Sequence, residues 1–425
     1  MTLNRLCRLG APWVITSKSL RDLTVKNMRD LSMDANNIIL EPMAKNTAPA
    51  IALLSFHLLQ KGLKDSVVGI FPADHIIENE EAFLAAVHLA KAEASKGKVV
   101  TLGIKPDHPA TGYGYIQTSK NANSTLGALA SYSVLKFHEK PSLEKASTFL
   151  TEGGFFWNAG IFIFKASTMA ELLEQHQPEL WSAVSSLKED FSNIESIYTK
   201  VDNISIDYAI MEKLTAESLS CVPCDIGWND VGSWDAIADI LGGSGTENKV
   251  EVQGKNNFIQ STIDKTYAFV GVEDLIVVDT ADALMITKKG ATQAVKEAVD
   301  ILKLKSPKLL TEHTFEERPW GRFEVLRDTE FFKSKVIQVN PSQQISYQSH
   351  SKREEHWLIT QGKGEVVLND EIIPVSPGSY VKIPLGAKHR IRNPGTTAIE
   401  FVEVQMGTYF GEDDIVRYQD DYSRS

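Results

Sequence analysis

Two stretches in the last quarter of the chain carry residue types that can hold a metal ion. The first contains Gln348, His350, Glu355 and Gly362; the second contains Gly378, Pro384, Gly386, His389 and Asn393. Side chains two positions apart on a strand face the same way, so Gln348 and His350 share a side. Glu355 and His389 can reach the same point from neighbouring strands. Two imidazoles, a carboxylate and an amide oxygen suit a divalent ion such as zinc, with one position left for substrate. A lone histidine would read as an ordinary polar residue of a β domain. Two linked half-motifs with Gly, Pro and Asn in matching places argue for a site.

The first half holds a different set. Asp74 follows an apolar strand, at the strand end where α/β proteins place ligands, although a helix cap or turn would use the same residue. Asp230 lies in a glycine-containing loop. Lys140 sits between Glu139 and Pro141 and, taken alone, reads as a surface lysine. Gly112 and Gly114 remove side chains where a backbone must approach a ligand, or simply make a turn. Asn46 and Thr47 open a helix, which capping alone explains. Cys221 and Cys224 form a single C-x-x-C with no second pair nearby, so a strand end is the plainer reading.

These residues need a scaffold. A helix is expected over Ala48–Lys61 with Thr47 as cap, a buried strand over Val67–Phe71, a helix starting at Asn79 and ending at Gly97, and a strand over Val99–Ile104. That β-α-β-α order implies a mostly parallel sheet with helices on both faces. A linker is expected at Gly242–Gly245. Short apolar runs follow at Tyr267–Val270, Leu275–Asp279 and Ala283–Thr287, then a helix over Ala291–Lys303. From about Glu316 the chain reads as all-β, with strands at Phe332–Val339, His356–Thr360, Glu365–Leu368, Tyr380–Ile383 and Ile399–Val404. The expected domains are therefore 1–245, 246–305 and 306–425.

Composition sets the outer bounds. At 425 residues, with 43% hydrophobic residues, the chain is large enough for two or three domains. Its formal net charge of −11 argues against general nucleic-acid binding but allows a local basic pocket for phosphates. Three cysteines make no disulfide framework, which favours a reducing cytoplasm. No apolar run reaches the length of a membrane span, and no signal peptide is evident. Self-association into a homo-oligomer stays open.

The two C-terminal half-motifs resemble the cupin family. The stretches Arg318-Pro-Trp-Gly321, Gln348-Ser-His-Ser-Lys-Arg-Glu-Glu-His-Trp357 and Gly411-Glu-Asp-Asp-Ile-Val-Arg417 narrow the resemblance. They are similar to the isomerase domain of bifunctional mannose-1-phosphate guanylyltransferase/mannose-6-phosphate isomerase enzymes. The first half adds further stretches: Glu41-Pro-Met-Ala-Lys-Asn-Thr-Ala-Pro-Ala50, Phe71-Pro-Ala-Asp-His75, Pro109-Ala-Thr-Gly-Tyr-Gly-Tyr-Ile116, Glu139-Lys-Pro141, Phe156-Trp-Asn-Ala-Gly160, Ser205-Ile-Asp-Tyr-Ala209 and Gly227-Trp-Asn-Asp-Val-Gly-Ser-Trp234.

The resemblance implies a Rossmann-like α/β nucleotidyltransferase domain, a short β-helix-like connector and an all-β cupin domain. It implies GTP, mannose 1-phosphate and mannose 6-phosphate as small-molecule partners. Mg2+ would be held by Asp74 and Asp230, with zinc or another divalent ion held by Gln348, His350, Glu355 and His389. Lys140 would meet the sugar phosphate, Glu139 and Asn158 its hydroxyls, and Asn46, Thr47, Gly112 and Gly114 would line the substrate site. Arg353 would anchor phosphate in the isomerase half, with Lys352 and Arg424 behind it. The family's pattern opens on a loop of the type Gly-Gly-x-Gly-x-Arg, and this chain contains none. The expectation is therefore an N-terminally truncated transferase half of impaired activity. The alternatives are an isomerase alone or a non-catalytic, sugar-nucleotide-binding regulator.

Overall fold

In the computed structural model the described residues are 2–34, 36–242, 248–311 and 313–419. Most of the expected linker, Gly243–Gly245, and Tyr422, Ser423 and Arg424 lie outside them. The chain forms two compact units, Met1–Gly232 and Ser233–Ser425.

The first unit is built on a six-stranded sheet. Its order is Val67–Ile70, Phe155–Lys165, Val99–Ile104, Leu219–Cys224, Leu129–His138 and Tyr115–Leu126. Alternation along the strands sends side chains to opposite faces. Val99, Phe162, Phe164 and Cys221 pack with Ile51, Leu54 and Leu58 of helix Thr47–Gln60 on one side. Val100, Leu102, Ile161, Ile163 and Val222 pack with Phe83, Val87, Ala90 and Ala94 of helix Glu80–Ala94 on the other. Helices thus cover both faces, as expected.

The strand directions differ from expectation. Val99–Ile104 runs parallel to Leu219–Cys224, but the long strand Phe155–Lys165 lies antiparallel to all three strands it pairs with, Val67–Ile70, Val99–Ile104 and Tyr115–Leu126. The sheet is therefore mixed. The helix caps also sharpen the reading. Asn46, not Thr47, caps Thr47–Gln60, because its Oδ1 accepts from Thr47 N at 2.9 Å. Asn79 caps the next helix through Ala82 N at 3.1 Å. Cys221 and Cys224 are buried within a strand, and burial pushes the Cys224 thiol up to about 12.

The second unit begins with helix Trp234–Ile240, whose Ala238 packs with Phe258, Ile276 and Val278. Two parallel pairings, Lys249–Val252 with Tyr267–Val270 and Phe258–Ser261 with Leu275–Asp279, make the coil of the connector. Buried Asn257 ties its turns together, donating to Glu251 Oε1 at 2.8 Å and Val272 O at 3.0 Å, and accepting from Leu275 N at 3.0 Å. Helix Val295–Lys305 follows.

The remainder is an all-antiparallel pair of sheets. One holds Phe315–Arg318, Gly321–Asp328, Phe332–Val339, Ile399–Gly407, Arg353–Gln361 and Tyr380–Ile383; the other holds Glu371–Val375, Gly364–Leu368, His389–Arg392, Tyr347–His350 and Ile415–Gln419. Trp357, Val366, Ile391 and Phe401 lie in the core between them. No helix among the described residues is long and apolar enough to cross a membrane.

Asn393 is the peg of one barrel turn. Its Nδ2 donates to Val339 O and Thr397 O, each at 2.9 Å, and its Oδ1 accepts from Gly395 N at 3.0 Å. Asn393→Ala strands these buried groups and should cost about 1–3 kcal/mol. The check is hydrogen exchange of the barrel strands, which should lose protection in the variant; unchanged protection would remove the peg role.

Candidate functional sites

Register places the barrel site. In the larger sheet, Lys335 lies opposite Glu403, and Glu403 opposite Trp357. In the adjacent row Gln405 lies opposite Glu355. These side chains share the inward face with Ile337, Val339, Ile359, Ile399 and Phe401, so one end of the barrel interior is polar and the other apolar. The smaller sheet brings Gln348 opposite His389 and carries His350 two residues on.

His350, Glu355 and His389 converge. All three are buried, and one ligand atom from each lies within 4.8 Å of the others. His350 Nε2 is 3.0 Å from Glu355 Oε1, and His389 Nε2 is 3.4 Å from Glu355 Oε2. Yet neither ring nitrogen of His350, nor His389 Nε2, has an aligned hydrogen-bond partner. Burial holds His350 below the ordinary imidazole range despite the adjacent carboxylate, so its ring keeps a lone pair to give. Burial alone would raise the Glu355 carboxyl. The adjoining His350 and His389 rings instead hold it well below the usual range. Orphaned imidazole nitrogens around an ionised carboxylate are what a divalent cation needs. Gln348 lines the same cavity, with its Oε1 accepting from Ser346 Oγ at 2.7 Å.

Second-layer contacts hold this centre. Glu355 accepts from Gln405 Nε2 at 3.1 Å, Arg353 Nε at 3.3 Å and Trp357 Nε1 at 3.2 Å. Trp357 Nε1 also donates to Glu403 at 3.0 Å. Burial raises the Glu403 carboxyl to about 8, and the Glu355 charge adds to the rise.

A cavity lies against the centre, and Arg318, Lys335, Arg353 and Arg417 line it together with Glu355, Glu403 and Glu412. Arg353, expected from sequence as a phosphate anchor, is one of the lining residues, with a further bond to Gly411 O at 3.0 Å. Lys352 is exposed and stacks over Tyr409, away from the lining. Arg318 and Arg417 fall in the motif stretches but were not singled out. Lys335, Glu403 and Gln405 were missed too; the signal was a polar residue at an inward position of an otherwise apolar strand face.

The α/β unit brings its candidates together around the Gly112–Gly114 loop. A two-residue ribbon pairs Ile76–Ile77 with Trp228–Asn229, so Asp74 and Asp230 both flank its paired ends. Both carboxylates act on His75 between them, although burial keeps that imidazole low. Trp228 Nε1 donates to His75 Nδ1 at 3.1 Å, and Tyr113 OH donates to Asp230 Oδ1 at 2.9 Å.

On the other side of Tyr113, Gly114 O accepts from Asn158 N at 2.8 Å. A methyl group on Gly114 would sit 2.7 Å from Glu139 Oε2, so the missing side chain makes room for that carboxylate. Asn158 is oriented by Thr101 Oγ1, which donates to its Oδ1 at 2.9 Å, and by Asp207, which accepts from its Nδ2 at 3.0 Å. Asp207 was quoted within a motif but not as a site residue. Lys140 stands exposed at φ 45°, a left-handed conformation that a lysine rarely adopts, 3.8 Å from Glu139. Asn46 and Thr47 spend their side chains on structure: Thr47 Oγ1 accepts from Ile206 N at 2.8 Å, one residue from Asp207.

Burial, then Asp207, raise the Glu139 carboxyl from its ordinary 4.5 to about 7, against the pull of Lys140. The folded state thus holds a proton where the unfolded state has lost it. The destabilisation from this group is absent below about 4.5 and complete above about 7. Thermal melts of Glu139→Gln should therefore gain on the wild type as pH rises through that window. Parallel curves would show that Glu139 is not charged against its surroundings.

The Nucleotidyl transferase family model matches residues 1–244, the MannoseP isomerase/GMP-like beta-helix domain matches 247–302, and the Mannose-6-phosphate isomerase C-terminal model matches 305–420. Xanthan biosynthesis protein XanB of Xanthomonas campestris pv. campestris (strain B100) is 38% identical over 98% of this chain and 89% of its own length. Mannose-1-phosphate guanylyltransferase 2 of Escherichia coli O157:H7 is 37% identical over 99% of this chain and 90% of its own. Among solved structures, a protein described as mannose-1-phosphate geranyltransferase from Thermus thermophilus matches with TM-score 0.60 and 30% identity, over 71% of this chain and 88% of that one.

Proposed function

The chain belongs to the bifunctional family that joins a nucleotidyl transferase domain to a mannose-6-phosphate isomerase C-terminal domain, and from that membership we propose that it serves GDP-mannose formation. The barrel interconverts mannose 6-phosphate and fructose 6-phosphate. The α/β unit joins GTP and mannose 1-phosphate, releasing pyrophosphate. The working division into 1–245, 246–305 and 306–425 assigns one chemistry to each end and none to the connector.

The observation that carries the reading is the buried His350, Glu355 and His389 cluster opening on a cavity lined by four cationic side chains. Gln348 joins the cluster as fourth ligand of zinc or another divalent ion. A bound divalent ion would polarise the sugar carbonyl and stabilise the enediolate oxygens. Arg353 and the other cations hold the dianionic phosphate, because planar guanidinium groups match its oxygens. Gln405 and Trp357 keep Glu355 oriented. The isomerisation moves a proton from C2 to C1 while the carbonyl moves from C1 to C2, so the cavity must also exclude bulk water from the intermediate.

In the α/β unit Asp74 and Asp230 would hold Mg2+, which neutralises the crowded phosphates. An oxygen of the mannose 1-phosphate attacks the α-phosphorus of GTP, and the bond to the bridging oxygen of the leaving pyrophosphate breaks. Lys140 draws the sugar phosphate in. Glu139 and Asn158 read sugar hydroxyls, with Gly112 and Gly114 letting the backbone come close. Asn46 and Thr47 set the start of the adjoining helix.

The test uses the purified full chain with each substrate pair and its metal. Mannose 6-phosphate should isomerise, with His350→Ala lowering turnover by at least about a hundredfold, in the range seen when metal-site partners are lost. Pyrophosphate release from GTP and mannose 1-phosphate should fall similarly on Asp230→Asn. Isomerisation that survives His350→Ala would sink the barrel assignment, and pyrophosphate release indifferent to Asp230 would sink the other.

A further inference from the structure

Lys335 is a buried cation whose nearest counter-charges, Glu412 and Glu403, leave its donors free of hydrogen bonds among the described residues. The residue is 8% exposed and faces inward in strand Phe332–Val339. Among the described residues its Nζ makes no hydrogen bond. Its contacts are a 3.9 Å approach to Glu412 Oε1, whose side chain is half exposed, and the Phe323 ring at 4.8 Å. Glu403, opposite in register, spends its carboxylate on Trp357 and Gln405.

An ammonium group removed from water without a compensating charge costs stability, so an interior lysine needs a reason to stay there. The surroundings supply one. Lys335 lines the cavity beside the His350–Glu355–His389 cluster, and Arg318 reaches the same Phe323 ring at 5.8 Å. Arg318 is already paired with Glu316 at 2.7 Å, and Arg353 is held by Glu355 and Gly411. Of these, Lys335 is the cation with most of its bonding capacity unspent.

We propose that Lys335 is the principal phosphate-binding residue of the barrel, taking the phosphate of a hexose phosphate at the Phe323 side of the cavity with Arg318 beside it. The idea rests on the isomerase reading, and it deepens it: Arg353, bonded to Glu355, supports the phosphate from the carboxylate side, and the substrate lies with its phosphate toward Lys335 and its carbonyl end toward Glu355. Three rotatable donors on a flexible stem suit a phosphate that must enter and leave.

The test compares Lys335→Met and Lys335→Arg with the wild-type full chain, loaded with metal. Titration calorimetry with inorganic phosphate should show binding weakened roughly 10- to 100-fold in Lys335→Met, as expected for loss of a charged hydrogen-bonding partner, and largely kept in Lys335→Arg. Metal content should not change. Lys335→Met should melt no lower than the wild type, because it removes a buried charge whose nearest ion pair is a loose 3.9 Å contact and keeps the volume. With mannose 6-phosphate, KM should rise while kcat changes little.

Wild-type phosphate affinity in Lys335→Met would overturn the proposal. So would a fall in kcat at constant KM, which would place Lys335 at the reacting carbons. A lower melting temperature with parallel loss of metal would overturn it as well, by making Lys335 a strut. If the wild-type chain binds phosphate through Lys335 but isomerises nothing, the anion site stands and the isomerase reading falls. If it isomerises while indifferent to Lys335, the reverse holds.

Discussion

A carboxylate taken from water into a protein interior loses hydration worth on the order of several kcal/mol, and Glu355 sits 1% exposed inside the barrel. Its surroundings answer that cost with donors on every side. Arg353 and Trp357 come from its own strand, Gln405 from the neighbouring one, and His350 and His389 from the facing sheet. The two sheets are thus tied at one end by a charged group rather than by apolar packing. Beyond these ties, His350 Nδ1 has no hydrogen-bond partner among the described residues.

The period of the strand makes this arrangement possible. Inward-facing rows across the larger sheet differ in character: Ile337, Phe401 and Ile359 form an apolar row, while the next brings Lys335 and Glu403 beside Trp357. The apolar rows supply the burial that holds the barrel together, and the polar rows are free to be chosen for chemistry. A shift of register by one residue would exchange the two faces and destroy both. The alternation that builds the core therefore also sets where the site lies.

Much of this was legible in the residue order. The spacing of Gln348, His350, Glu355 and His389 pointed to one centre, because two-residue alternation and two linked turns leave few other arrangements. The strands at Phe332–Val339 and Tyr380–Ile383 ended where expected, since apolar alternation and turn residues bound them closely. Direction in the first unit was less legible. Apolar strands give the same pattern whether they run parallel or antiparallel, so the reversal of Phe155–Lys165 left no mark in composition. Lys335 and Asp207 were hidden for another reason: their roles depend on what faces them across the sheet or the turn, Glu403 for one and Asn158 for the other. Single-chain spacing does not report such partners.

The two units handle phosphate-bearing sugars with opposite electrostatics. In the barrel Lys335 and Arg353 are buried along the cavity, while the chain as a whole carries −11. Cations gathered along one cavity concentrate their attraction for anions there, because low-dielectric walls focus the field. In the α/β unit the order is reversed. Glu139 and Asp207 are largely buried as acceptors, and Lys140 stands outside them, exposed and in a strained conformation. Acceptors suit hydroxyl groups, and an exposed lysine suits a phosphate that remains partly in water. A dianion buried in the barrel needs compensation from within. An anion held at a protein surface keeps part of its hydration and needs only a nearby cation, which is the setting of exposed Lys140 beside Glu139.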